Sequence, residues 1–473
     1  MKHYDSIVIG GGGGTKLISP VAAHGKKVAA IEKEALGGTC LNRGCIPSKM
    51  LIHPADVAHE IENAQRFDIK VNTNYTVNWK HLVERVSDTV DKTAASITES
   101  YTKNPNIDFY HGTATFVSNK VIEVNGEQLT ADNIIIAVGA RPRIPNIPGL
   151  AGTPFMTSRE AVRNTTQPKK LIIIGGGYIG VELGHFYGNL GTEVTFIVRS
   201  EFITKEDWQI QEEFTTEFSK RHTVHLNAET TQVSYKNNQF TVTILNRETN
   251  EQQKLTADAL LVAVGITPNN DTLQLENTSI KINDRGFIQT NERLQTTVDG
   301  VYAIGDCNGR YFFRHSVNYE GEWLFNALYK HPHNNPIVYP PMPHAIFSNP
   351  QIAGVGVTED ELKAQHKYEK EDYIVGINYY KNSAMGDALR SDYGFVKLLF
   401  DAKNKTLIGA HIIGPEASDM IHMCIAYITL NATLDDMLHM IYIHPALPEN
   451  VRNACRNAQK IFDEQHQPQD TCD

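Results

Sequence analysis

Two cysteines five positions apart carry the first chemical signal in this chain: Cys40 and Cys45, in "GGTCLNRGCIPSKML" at residues 37 to 51. With only six cysteines in 473 residues, so close a pair reads as a structural staple, a metal clip or a redox couple. Zinc sites join a close pair to a second ligand pair, and no such spacing follows here. A staple would close too short a loop to stabilise much, and stable disulfides are rare in the reducing compartment expected for this chain. In a regular helix, residues five apart rise about 7.5 Å, beyond the roughly 7 Å Cα separation a disulfide tolerates. The pair therefore joins only across a distorted turn, and Gly44 permits one. Pro47 suits the first turn of a following helix. Cys45 is then expected near a helix N-terminus, where a thiolate is favoured. Lys49, four residues on, falls close to the same face. Thiol, thiolate and cation together read as redox chemistry.

Elements able to hold a redox cofactor flank the pair. Residues 4 to 32 read as strand, glycine turn, helix and strand, with "SIVIG" as the strand and Gly10 to Gly14 as the turn. Glu32 ends the second strand, about twenty residues after the glycines, where a carboxylate accepts ribose hydroxyls while the helix N-terminus faces pyrophosphate. Gly10 and Gly12 fill the first two places of G-x-G-x-x-G, and Thr15 stands in the third. Residues 171 to 199 repeat the unit with Gly175, Gly177 and Gly180 in full register. Two dinucleotide units imply one flavin site and one nicotinamide site. "DNIIIAVGARPRIPNIPG" (132 to 149) reads as a return strand and linker, and "DALLVAVGITPNND" (258 to 271) closes the second unit in the same way. "TTVDGVYAIGDC" (296 to 307) adds a strand ending at Gly305-Asp306, where doubly wound sheets bind ligands. From residue 341 the pattern turns to antiparallel strands around a helix near 416 to 431. The expected architecture is α/β: two doubly wound, Rossmann-like domains and a C-terminal α+β dimerisation domain. Residues 1–150 and 268–340 would bind FAD, 151–267 NAD(P), and 341–473 would pair subunits.

Composition narrows the partners. A net charge of −10 argues against nucleic acid or an anionic membrane as a general partner. No apolar run approaches the roughly 20 residues that span a bilayer. "YDSIVIG" reads directly as a strand rather than a signal peptide, so the cytoplasm is the expected location. No metal site is expected.

"GGTCLNRGCIPSK", with the two glycine units in order around it, resembles the redox-disulfide motif of the class I pyridine nucleotide-disulfide oxidoreductases. The resemblance runs from residue 4 to about 450. It implies FAD, NADP or NAD, and electron transfer between nicotinamide and a small disulfide or dithiol. By this resemblance Cys45 is the thiolate packed on the flavin ring, and Cys40 is the interchange thiol that attacks substrate. Lys49 lies near the flavin N5, and Glu182 pairs with it and gates the nicotinamide face. FAD contacts would fall on Gly10, Gly12, Gly14, Glu32, Gly38, Thr39, Lys49, Gly139, Gly305 and Asp306. Nicotinamide contacts would fall on Gly175, Gly177, Gly180, Glu182, Arg199, Lys205 and Gly265. "IHPALPEN" offers His444 and Glu449 as the acid-base pair that each subunit of a homodimer lends to its partner.

Within the family the details lean toward NADPH and the mycothione reductases. NAD-dependent members usually end the second strand of the nicotinamide unit with Glu; here Val198 is followed by Arg199, with Lys205 six residues on. Gly180 counts the other way, because NADP enzymes often carry alanine there. "HPALPE", "GGGGGTK" and "RHSVNYEGEW" resemble mycothione reductase, while Pro20 stands where glutathione reductase carries arginine. The alternative is dihydrolipoyl dehydrogenase, NAD-linked and docked on a 2-oxo acid dehydrogenase complex, which "AIFSNPQIAGVGVTEDEL" fits equally well. Mercuric reductase, with adjacent terminal cysteines, and a flavin redox sensor are further alternatives. Cys472 reads as a tail thiol or a redox shuttle. Arg43, between the cysteines, would lower the Cys45 pKa, meet an anionic substrate, or face solvent.

Overall fold

The computed structural model describes residues 1–465, and Cys472 lies outside them. Unbroken apolar runs build the parallel sheets, since strands covered on both faces need no polar alternation. Ile7, Val8 and Ile9 are buried in the first strand, Lys2–Ile9, and Leu171 to Ile174 are buried in the equivalent strand Lys170–Ile174.

The first sheet runs Ile107–His111, Val28–Glu32, Lys2–Ile9, Glu127–Ile136, Val121–Val124, Thr115–Ser118. Its first four strands pair parallel, and the last two form antiparallel hairpins on Glu127–Ile136. Val301–Ala303 returns after the second unit to pair parallel with Ile134 to Ile136. The second sheet is wholly parallel: Thr223–His225, Glu193–Ile197, Lys170–Ile174, Ala259–Val262. A three-stranded antiparallel meander, Ala228–Lys236, Gln239–Asn246 and Gln252–Ala257, packs beside it. The two exits seen in the sequence lie together, with Ala140–Pro142 pairing antiparallel with Ile266–Pro268.

Beyond residue 341 five antiparallel strands run in the order His344–Ile346, Ile352–Gly356, Leu407–Ile413, Phe395–Asp401, Tyr373–Tyr379. Helices Ala417–Thr429 and Glu449–Gln465 cover this sheet. The second presents Val451, Ala454, Cys455, Ala458 and Phe462 inward, the spacing of one helical face. It packs so close that a Cβ at Gly376 would lie 2.3 Å from the Ala454 carbonyl oxygen.

A buried ion cluster joins the second glycine unit to the C-terminal sheet. Lys397 Nζ is fully buried, 2.7 Å from Asp207 Oδ1 and 2.6 Å from Glu359 Oε2. Asp207 also caps helix Trp208–Phe218 and accepts from the Glu359 amide. Removing one partner strands a buried charge, so Asp207→Ala should cost about 3–5 kcal/mol. The check is a lowered urea midpoint at saturating FAD; an unchanged midpoint would refute it.

Candidate active site

Backbone chemistry sets the cysteine pair. Helix Gly38–Arg43 ends at Gly44, whose φ of −139° and ψ of −119° break it, and helix Cys45–Asn63 starts at once. Cys45 therefore opens a 19-residue helix, as Pro47 suggested. The short helix abuts the first glycine loop through bare backbone. A Cβ at Gly38 would lie 2.5 Å from Gly12 Cα, and Gly37 N–H donates to the Gly11 carbonyl. The pair is thereby fixed beside the dinucleotide turn.

Both cysteines are free thiols, Cys40 half-buried and Cys45 exposed. They hydrogen-bond each other. That bond, aided by the charges of Arg314 and Lys49 against burial, lowers Cys40 to about 7. The same bond pushes Cys45 up. The bond lowers Cys40 relative to Cys45, the thiol that the resemblance places on the flavin ring. Arg43 neither faces open solvent nor reaches the thiols: its guanidinium pairs with Glu34, which Arg159 also holds at 2.6 Å.

Lys49 projects from the second helical turn, with its Nζ 2.8 and 2.7 Å from the two carboxylate oxygens of Glu182. Glu182 also accepts from Phe347 N–H at 3.1 Å, and Lys49 lies 4.6 Å from the Phe347 ring centroid. Residues 133 apart in sequence thus meet between the cysteine helix and helix Tyr178–Asn189 of the second glycine unit.

The two glycine units repeat one geometry. A Cβ at Gly10 or at Gly175 would lie 2.3 Å from the carbonyl oxygen of Ala137 or Ala263 respectively, and both have φ above +100°. In the second unit a Cβ at Gly180 would lie 2.6 Å from the Gly175 oxygen and 3.5 Å from Ala263 Cβ. In the first, Gly14 takes that place, 2.3 Å from the Gly10 oxygen and 3.4 Å from Ala137 Cβ. Thr15 therefore does not weaken the fingerprint. Thr15 N–H and Lys16 N–H bond three residues back, to Gly12 and Gly13, and this tighter turn brings the close contact one residue early.

The residues present fit the two cofactors. Neither helix start, at Gly14 or at Gly177, has a side-chain cap, and a Cβ at Gly177 would meet nothing within 4 Å. That leaves room and amides for a pyrophosphate. Glu32 is aimed at the first turn: its Oε2 accepts from Gly11 N–H at 2.7 Å and its Oε1 from Glu34 N–H at 2.8 Å. Burial and the Glu320 charge push Asp306 up to about 6, a carboxyl that a ligand hydroxyl would relieve. Gly139 and Gly305 turn with φ of +64° and +71°, and Gly265 with +112°. Thr39 is exposed beside the pair. Arg199 and Lys205 are both exposed, and Lys205 lies 5.8 Å from the Phe312 ring centroid.

His444 Nδ1 lies 3.1 Å from each carboxylate oxygen of Glu449, with its own side chain 71% exposed. Glu449 is buried and is also held by Ala446 N–H and Arg452. Burial alone would raise it, but these donors and the imidazole hold it below the usual carboxylate range. Arg452 and Arg314 were missed from sequence, although Arg452 stands a helical i,i+3 step from Glu449.

Comparison with known proteins gives this geometry its context. Residues 4–321 match the family described as pyridine nucleotide-disulphide oxidoreductase, and residues 342–455 match its dimerisation domain. The chain belongs to the pyridine nucleotide-disulphide oxidoreductases. Members of this family use FAD and NAD(P), and the chain is a flavoprotein disulfide oxidoreductase. Dihydrolipoyl dehydrogenase of Corynebacterium glutamicum is 32% identical, over 96% of this chain and 97% of that one. Mycothione reductase of Mycobacterium tuberculosis is also 32% identical, over 96% and 99%. An HOCl-induced flavoprotein disulfide reductase of Escherichia coli superposes with a TM-score of 0.84 at 26% identity, covering 96% of this chain and 99% of that one. Bound FAD supplies two-electron transfer between a nicotinamide and the dithiol. No helix among the described residues is long and apolar enough to cross a membrane.

Proposed function

We propose that this oxidoreductase reduces a small thiol disulfide with NADPH, in the manner of a mycothione reductase. The observation that carries the nicotinamide choice is the end of strand Glu193–Ile197: Val198 is buried and Arg199 exposed. No carboxylate stands at Val198 to accept a ribose 2′-hydroxyl, and the Arg199 guanidinium suits a 2′-phosphate. Cys40, the lower thiol, attacks the substrate disulfide, Cys45 resolves the mixed disulfide, and His444 protonates the leaving thiolate. Lys49 and Glu182 line the approach to the flavin.

Residues 1–150 with 268–340 form the flavin domain in this reading, 151–267 the nicotinamide domain and 341–473 the subunit interface. The return of Val301–Ala303 to the first sheet supports that division. A homodimer with shared sites is supported by an apolar approach to His444: Ile441 is 98% and Ile443 80% exposed in the single chain. The reaction in the cytoplasm would draw on the NADPH pool.

A second reading, an NAD-linked dihydrolipoyl dehydrogenase serving a 2-oxo acid dehydrogenase complex, is supported by the equal 32% identity to the Corynebacterium glutamicum enzyme. One panel separates the two: lipoamide and the disulfides of mycothiol, glutathione and coenzyme A, each with NADPH and NADH. The expected kcat/KM favours NADPH by at least about tenfold, or about 1.4 kcal/mol, with a thiol disulfide as the best substrate. Preference for NADH with lipoamide would overturn the first reading in favour of the second.

A further inference from the structure

Glu206 is a fully buried carboxylate that no step above uses. Its Oε2 accepts from His344 Nε2 at 2.8 Å, and its Oε1 accepts the Tyr178 hydroxyl proton. Burial would raise its pKa, but the bonds from His344 and Tyr178 keep it lowered. Three segments meet at this carboxylate. Tyr178 opens the nicotinamide helix directly after Gly177 of the glycine fingerprint. Glu206 follows the strand Glu193–Ile197, and His344 begins the first strand of the C-terminal sheet.

The rings are aligned as well as bonded. The His344 ring stacks with Tyr178 at 6.1 Å between centroids, 25° from parallel. On Phe313, just before helix Arg314–Phe325 of the flavin segment, it stacks at 6.4 Å and 14°. Space for the imidazole depends on Gly354 across the ladder, where a Cβ would lie 2.7 Å from His344 Cε1. One turn along the nicotinamide helix, Glu182 takes the Phe347 amide from the same C-terminal segment. Residues 344 to 347 thus hold both Tyr178 and Glu182, which share a helix face at i and i+4.

We propose that His344 is a positioning residue for the nicotinamide: through Glu206 it fixes the Tyr178 side chain at the mouth of the glycine turn and so sets the affinity for either nicotinamide. This rests on the assignment of the Gly175–Gly180 turn to the nicotinamide, but not on the choice of NADPH. His344 touches no reacting atom. Its effect falls on binding, because the Tyr178 ring must hold one orientation for the dinucleotide to seat beside it. Without the bond from His344, Glu206 would be left with one side-chain donor, and Tyr178 would lose both its ring partner and its anchored acceptor.

The test is a double-mutant cycle on the oxidised holoenzyme, read by the change in flavin absorbance on titration with NADP+ and with NAD+. His344→Leu and Tyr178→Phe should each raise both dissociation constants by about 3- to 10-fold, and the double variant by no more than the worse single one. FAD content and the reduction of the dithiol by dithionite should stay as in the wild type. His344→Gln, which restores an N–H donor, should recover most of the affinity. Arg199→Ala serves as the separate control: it should shift the ratio of NADP+ to NAD+ affinity, which His344→Leu should leave unchanged. Unaltered or tighter binding in either single variant, or effects that multiply in the double variant, would overturn the proposal. If His344→Leu fails to retain FAD, Tyr178→Phe and His344→Gln decide the matter alone. A null result for Arg199→Ala would count against the NADPH reading and leave the His344 proposal standing.

Discussion

Cys40→Ser should retain FAD and nicotinamide binding but lose disulfide turnover by at least about 10³-fold. The attacking group must be ionised at working pH, and the bond from Cys45, with the charges of Arg314 and Lys49, lowers Cys40 toward that range. A serine hydroxyl at the same place is not ionised, so the mixed disulfide never forms. The causes of the low value give the same claim a second signature. In the two-electron-reduced enzyme, iodoacetamide should label Cys40 faster as pH rises through about 7, because the thiolate is the nucleophile. Below that pH the thiol is protonated and labelling slows. Equal turnover in the serine variant, or a midpoint near an ordinary thiol value of about 8.5, would show that another group attacks.

His444→Ala should lower turnover by about 10² to 10⁴-fold, the range for losing a positioned acid-base group. The imidazole is oriented by a carboxylate held ionised by three donors, so its second nitrogen is free to exchange a proton with the leaving thiolate. Which subunit's thiols it serves can be read directly. Chains carrying Cys40→Ser and chains carrying His444→Ala are each inactive as homodimers. Coexpressed, they should form mixed dimers with one intact site, restoring about a quarter of wild-type activity by random pairing of symmetric subunits. If His444 acted within its own chain, mixing would restore nothing.

Local sequence carried the chemistry because the chemistry is local. The cysteine pair, the Gly44 break and the Pro47 start lie within residues 40 to 47, and their backbone demands do not depend on distant partners. His444 and Glu449 of "IHPALPEN" also meet inside one loop and helix start, and the family resemblance named them as a pair. Both glycine turns were legible for a similar reason, since only glycine fits a backbone carbonyl 2.3 Å from a would-be Cβ. Lys49 and Glu182 could be paired in advance only through the family resemblance, because 133 residues separate them.

What the sequence determined by itself was therefore the inventory: two dinucleotide turns, a thiol couple at a helix start and an acid-base pair near the C-terminus. Tertiary structure alone decided how these are held. Whether Gly14 or residue 15 packs on the first turn depended on how tightly the helix opens, which no spacing rule encodes. Arg43 turned to Glu34 because the short helix lies against residues 34 to 37. The lowering of Cys40 draws, after its bond to Cys45, on the charge of Arg314, 274 residues beyond it. Lys397 with Asp207 and Glu359, and His344 with Glu206 and Tyr178, look in sequence like ordinary surface polar residues. Lys397, Asp207, Glu359 and Glu206 are buried, and His344 and Tyr178 half-buried, because separately encoded segments converge on them, and only there does a lone charge become too costly to leave unpaired.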